Sequence, residues 1–335
     1  MKILLLKIVD LLNAYAIFNK FTRNTATIFM MHAISPDSAA DSDAATPSLL
    51  RSYFNYLKKH NYHVVSLTSY IEALLRKEPT YKQVIFTVDD GYRDFYLNGY
   101  EVFKEFNYPA TIFLTTDFIE QKLFFWWDAI QYACMATKKK KVELSDIGFG
   151  CVDLNTRGQK TMVVDMIVGR CKKMENTDKL SFIDSLAKRL DVDFTGQPKG
   201  KYEPLSWDQI KEMKEHKIEF YPHTKTHPIM SRIPTHQVEE ELEIPKKLIQ
   251  KKLGVDANIF CYPNGGPDDF DERTISALKA FDYIAAVTGV PGFDNTMSNT
   301  EMYGIRRFHI PYNPMYFKQY ISGMEKFKGI ILRGN

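Results

Sequence analysis

Six short runs, at residues 26–31, 84–88, 110–115, 218–221, 258–262 and 283–288, are rich in β-branched and aromatic residues and apolar throughout rather than alternating. A strand with one wet face alternates apolar and polar side chains. A strand apolar at nearly every position needs cover on both faces, as in a parallel sheet with helices outside it. Between the runs, residues 48–60, 69–77, 94–106, 207–216, 236–253 and 271–281 carry apolar positions three and four apart, often opened by Ser, Thr or Asp, which predicts helices. The order is βαβα, the pattern of a parallel barrel or a doubly wound sheet.

The rhythm breaks between about 120 and 202. An aromatic cluster (Phe124, Phe125, Trp126, Trp127), a lysine run (Lys138 to Lys141) and helical patterns near 159–174 and 178–190 read as a largely helical insertion within one domain spanning 23–335. The lysine run reads as a solvated loop, and the Ser/Asp/Ala-rich stretch 35–46 as a mobile one. At the start of the chain, Ile3, Leu4, Ile8, Leu11, Leu12 and Tyr15 recur at helical spacing, interrupted by Lys7, Asp10 and Asn13. The expectation is neither a membrane span nor a secretory segment. It is an amphipathic helix over 1–22, packed on the domain or lying on a membrane surface through residues 1–21, and its modest Lys/Arg content favours packing.

Charge and cysteine usage narrow the function classes. The 335 residues carry 44 Lys+Arg against 41 Asp+Glu, a net +3, too small and dispersed an excess for a nucleic-acid surface. A hydrophobic content of 44% excludes a disordered or collagen-like chain. The four cysteines, Cys134, Cys151, Cys171 and Cys261, show no C-x-x-C spacing and suggest a reducing compartment. The expected location is cytoplasmic, or peripheral to the inner membrane.

Four of the runs end in groups able to do chemistry. Residues 26–31 end in His32, and 84–88 in Asp89-Asp90-Gly91. The run 218–221 leads into Pro222-His223-Thr224-Lys225-Thr226-His227-Pro228, and 258–262 into Pro263-Asn264-Gly265-Gly266. In parallel α/β folds the carboxyl ends of strands converge on the active site, so these termini should meet on one face. Singly, each has a bland reading: an Asp pair before Gly as a helix cap, an i, i+4 histidine pair as chance. The bracketing prolines suggest a short helical turn that puts both imidazoles on one side, a spacing metal sites use. Two histidines and one carboxylate form an open ligand set for a catalytic divalent ion, and a second carboxylate beside it can take a proton from an acidified water. Such a site hydrolyses its substrate.

These residues resemble the polysaccharide deacetylase family, the NodB-like carbohydrate esterases. Residues 86–92 (FTVDDGY) are similar to its T-F-D-D-G motif and residues 223–227 (HTKTH) to its H-[ST]-x-x-H motif, with supporting matches at 108–115 (YPATIFLT), 205–208 (LSWD) and 260–265 (FCYPNG). The resemblance runs from about His32 to His309. It implies a distorted (β/α) barrel of seven or eight parallel strands and removal of N-acetyl, sometimes O-acetyl, groups from sugars. It further implies that Asp89 is the general base, that Asp90, His223 and His227 hold a divalent metal, expected to be Zn²⁺, and that the backbone N–H of Asn264 can stabilise an oxyanion.

Two departures stand out. The family's motif arginine, which orients the base, is replaced by Cys261, leaving Arg306 or Arg307 as substitutes. The acid histidine of an L-x-H motif near the domain's end has only His309 as a counterpart. Residues 29–34 (FMMHAI) resemble instead the strand-end motif of poly-N-acetylglucosamine deacetylases, so His32 is preferred as acid. Trp126, Trp127 and Asp128 could roof the site as a sugar platform or simply cement the insertion. The expected partner is an N-acetylated sugar, glycan or glycan precursor. The rival readings are a metal-dependent amidase for a non-sugar C–N bond and a non-catalytic glycan-binding barrel, against which the retention of both aspartates argues.

Overall fold

In the computed structural model, which describes residues 2–38, 44–193 and 200–333, the apolar runs form parallel strands: β1 (Ala26–Met31), β2 (Gln83–Val88), β3 (Ala110–Leu114), β4 (Ile218–Pro222), β5 (Ile259–Cys261) and β6 (Ala285–Val287). A seventh, β7 (Phe308–His309), pairs with β1 through Phe29 opposite Phe308. The ladder runs β7-β1-β2-β3-β4, and β5 and β6 form a separate parallel pair. A bridge from Val287 to Ile305 joins that pair to the segment entering β7. Across the remaining seam, His223 Nδ1 lies 2.8 Å from the Cys261 carbonyl oxygen. With a short eighth strand, His63–Val64, paired parallel to β2 off this ladder, the result is the distorted barrel of seven or eight parallel strands anticipated above, and β7 escaped notice because two residues are too few to show a pattern.

Side-chain alternation sorts the strands into two cores. Phe29, Met31, Val84, Phe86, Val88, Ile112, Leu114 and Phe220 face outward under the helices. Ala26, Ile28, Ile85, Phe113, Tyr221, Ile259, Cys261, Ala285, Val287 and Ile305 fill the barrel. The helix Leu67–Arg76 plugs its amino end with Leu67, Tyr70, Ile71 and Leu74. Toward the carboxyl ends the inward positions turn polar, and Thr87, Asp89, His223 and Arg307 are all buried. Buried polar groups must be partnered, so this end of the barrel is where the chemistry sits.

The predicted helices form at Pro47–Lys59, Leu67–Arg76, Trp207–Lys214, Thr235–Leu253 and Glu272–Ala280. The segment predicted at 94–106 opens with a π-helical turn, Phe95–Gly99, before Tyr100–Phe106. Within the insertion, helices Trp126–Ala136, Arg157–Cys171 and Asn176–Leu190 pack around their own apolar cluster, which includes Ile130, Cys134, Ile167 and Leu186. The lysine run corrects one expectation: Lys141 opens a strand, Lys141–Glu143, paired antiparallel with Cys151–Asp153. Part of the stretch 35–46 lies outside the described residues, but its flanks are tied, since the Ser35 amide donates to the Ala45 carbonyl at 2.9 Å. The single helix expected over 1–22 is instead an α-helix, Lys2–Leu11, and a 3₁₀-helix, Ala14–Thr22. They are separated at Asn13, whose left-handed backbone (φ 48) breaks the helical path.

Candidate active site

β2 delivers the two aspartates. Inward parity carries Ile85 and Thr87 on to Asp89, and continued extended backbone would turn Asp90 outward. Asp90 instead adopts φ 76 and Gly91 φ 93, so both carboxylates face the cavity. A side chain on Gly91 would come within 2.9 Å of Ile119 Cδ1, on top of a backbone conformation L-residues avoid.

β4 delivers the histidines, though not through the predicted helical turn. Residues 223–227 form a loop in which Thr224 (φ 67) and His227 (φ 59) are left-handed. The His227 amide donates to Thr224 Oγ1 at 2.9 Å. Glu241, buried on the helix Thr235–Leu253, accepts from the Lys225 and Thr226 amides, each at 2.8 Å, and from the Thr226 hydroxyl. The Thr116 and Asp117 amides donate to the Thr224 and Lys225 carbonyls. The imidazoles thus converge because a neighbouring helix and loop hold the backbone.

His223 and His227 present their Nε2 atoms to each other at 3.2 Å, and these lie 3.5 and 3.4 Å from Asp90 Oδ1. All three residues are buried, and Asp90 Oδ1 has no hydrogen-bond partner. The contact of His223 Nδ1 with the Cys261 carbonyl assigns its proton to Nδ1, leaving Nε2 as a lone pair. Three acceptor atoms crowded without donors are what a divalent cation satisfies, so the donor set fits one. Without it, burial pushes His227 down to about 4. Burial also opposes charge on His223, yet Cys261 and Asp90 beside it push its imidazole up.

A second group, Asp89 with His223 and Cys261, also has metal-ligand spacing, but a cation is already there. Arg307 Nη1 donates to Asp89 Oδ1 at 2.7 Å and Nη2 to Asp89 Oδ2 at 2.8 Å. Its remaining donors reach Thr87 Oγ1, the Thr288 carbonyl and Cys261 Sγ. Burial alone would raise the Asp89 carboxyl, but the bidentate guanidinium overrides it and holds the group at about 2. Arg307 therefore supplies, beside Asp89, the cation that the resemblance places at position 261. Arg306 points elsewhere and pairs with Asp294.

His32 and His309, on neighbouring strands, stack at the rim with ring centroids 6.0 Å apart, and His32 Nε2 lies 3.9 Å from Asp89 Oδ2. Burial and the nearby His32 push His309 down from its ordinary value. Asn264 (φ 57) lies on the tight loop after β5. A side chain on Gly265 would meet the Gly289 amide at 2.5 Å. His32, His309, Asn264, both aspartates and both imidazoles line one cavity of about 610 Å³. The insertion walls it: Trp127 packs against His227 at 4.6 Å, and Tyr92 donates to Asp128 at 2.6 Å while accepting from Trp127 Nε1.

All six residues singled out at strand ends therefore meet in one place. Sequence reading missed Glu241, whose signal was an acid on the apolar stripe Val238, Leu242, Ile249 of its helix.

The fold and this cavity define a barrel hydrolase with a carboxylate–histidine site, and the comparisons agree. The chain belongs to the polysaccharide deacetylase family, whose profile matches residues 76–166 and 169–286; the class of reaction that goes with membership is deacetylation of a glycan. The Bacillus subtilis (strain 168) protein YxkH, assigned to the polysaccharide deacetylases, is 21% identical over 284 residues, covering 84% of this chain and 70% of that protein. Among solved structures, the Streptococcus pyogenes deacetylase PplD in complex with acetate superposes with a TM-score of 0.58 at 19% identity, covering 89% of this chain and 98% of that one. IcaB from Ammonifex degensii gives 0.57 at 13% identity, over 89% and 97%. A de-N-acetylase from Aggregatibacter actinomycetemcomitans gives 0.54 at 17%, over 86% and 96%. At these identities the structural likeness is one of fold.

Proposed function

We propose that the chain is a metal-dependent hydrolase that removes N-acetyl groups from amino sugars of a glycan or glycan precursor. The observation that carries this reading is the orphaned Asp90 oxygen between two imidazole nitrogens, beside a second carboxylate tied to an arginine. A divalent ion held by Asp90, His223 and His227, Zn²⁺ from the mixed nitrogen and oxygen donors, supplies carbonyl polarisation and an acidified water when bound.

The chain's own residues do the rest. Asp89, ionised across the neutral range, accepts the proton that the water loses as its oxygen adds to the acetamide carbon. The Asn264 backbone N–H donates to the oxyanion. His32 gives its proton to the sugar nitrogen as the C–N bond breaks, so acetate and a free amine leave. Burial and the nearby His32 push His309 down from its ordinary value, which disfavours its charged form.

The test is acetate release from N-acetylglucosamine oligomers. Turnover is expected to vanish with a chelator and to return with Zn²⁺, and small non-sugar amides are expected to be poor substrates. Asp89→Asn should lose roughly 10²- to 10⁴-fold in kcat with metal content unchanged, and near-normal turnover in that variant would overturn the base assignment.

A further inference from the structure

The first helix is apolar on two opposite sides. On its inner side Leu6 and Val9 pack with Tyr15 and Met324, and Asp10 pairs with Lys318 at 2.8 Å. At 100° per residue, Ile8, Leu11 and Leu12 fall on the opposite side, and there Leu11 is 85% and Leu12 69% exposed, with Ile8 at 45%. A helix that only packed on the domain would carry polar residues at those positions.

The 3₁₀-helix continues the pattern with its own period. In this geometry residues three apart eclipse. Tyr15, Phe18 and Phe21 form the inner edge, the two phenylalanines against Phe327 at 5.6 and 5.0 Å. Ile17, 69% exposed, and Lys20 form an outer edge. Ile8, Leu11, Leu12 and Ile17, all exposed, thus sit close together on one terminal segment.

Charge identifies the occupant. Residues 2–23 contain Lys2, Lys7, Lys20 and Arg23 against a single acid, Asp10, and Asp10 is neutralised by Lys318. Lys7, Lys20 and Arg23 are exposed, with no carboxylate in ion-pair range among the described residues. A second copy docking by two-fold symmetry would bring the same patch against itself, cation to cation. A bilayer offers hydrocarbon to the leucines and phosphate to the lysines together. No helix among the described residues is long and apolar enough to cross a membrane, so the segment would lie on the surface.

We propose that the outward face of residues 7–20 docks the enzyme on an anionic lipid bilayer. This stands independently of the reaction proposed above, since it is read by binding alone. The test is co-sedimentation of the full chain with phosphatidylglycerol–phosphatidylcholine vesicles and with pure phosphatidylcholine vesicles, at low and high salt. Binding is expected to the anionic vesicles only and to weaken at high salt. Leu11→Asp with Ile17→Asp, and separately Lys7→Glu with Lys20→Glu, should each lower the partition constant at least about tenfold. Both pairs are exposed, and unchanged thermal unfolding verifies that the variants fold. Equal binding to both vesicle types, or variants that bind like the parent, would overturn the proposal. So would light scattering that shows a dimer abolished by Leu11→Asp without vesicle binding, which would assign the face to a second copy.

Discussion

Arg307 reaches the barrel interior with every donor engaged, two of them on one carboxylate. Such a pair costs much more to break than it gains by forming, because removal of one partner leaves a buried charge uncompensated. Arg307→Met should therefore lower stability by about 3–5 kcal/mol, read by denaturant unfolding. Burial would then act on Asp89 with only the nearby imidazoles of His223 and His32 against it, so the acid limb of the pH–rate profile should move upward, and an unmoved limb would separate Arg307 from the base. Which arginine does this was not legible in the chain. Arg306 and Arg307 are neighbours, so one points in and the other out, and the pairing of Phe308 with Phe29 sets which. Asp89, Asp90, His223 and His227 were legible because each stands within a few residues of the end of an apolar run, a local feature.

At the level of elements, the loop 223–227 depends on the next α-helix along the chain, Thr235–Leu253. Glu241 is to the histidine loop what Arg307 is to Asp89: each holds its partner in place, Glu241 through backbone amides and Arg307 through the carboxylate. Glu241→Ala leaves the Lys225 and Thr226 donors without their acceptor. We expect a loss of about 1–3 kcal/mol and a ten- to hundredfold weaker metal affinity, measured by competition with a chromophoric zinc chelator. The helical turn predicted here failed for the same reason. Local propensity favoured a turn between prolines, whereas hydrogen bonds to Glu241 and from the amides of residues 116–117 hold left-handed backbone at Thr224 and His227. The insertion hairpin and β7 were missed as elements of three residues or fewer, too short for periodicity to register.

Across the whole molecule, the carboxyl groups of the cavity should shape stability with pH in two directions. Asp89, held at about 2, contributes stability above the ordinary carboxylate range that is lost as pH falls from about 4 through about 2. Asp94 and Asp128 run the other way, since burial pushes each up to about 7. Between about 4 and about 7 the folded chain keeps protons that the unfolded chain has released, so stability falls as pH rises. Asp94 carries one buried oxygen without a partner, while the other accepts from the Ile34 amide at 2.9 Å. Asp94→Asn should thus raise the melting temperature near pH 8 and change it little near pH 4. A shift of equal size at both would remove titration as the cause.

The order of strands and helices and the identity of the groups at the strand ends followed from residues adjacent in the chain, because burial pattern and helix or strand period are local properties. Contacts between distant segments decided what those groups experience. Arg307 reached Asp89 from 218 positions away, Glu241 locked a loop it does not neighbour, and the first helix kept a bare apolar side because its inner side was already taken. Charge, burial and hydrogen-bond partners act through space, and only the closed barrel fixes those distances.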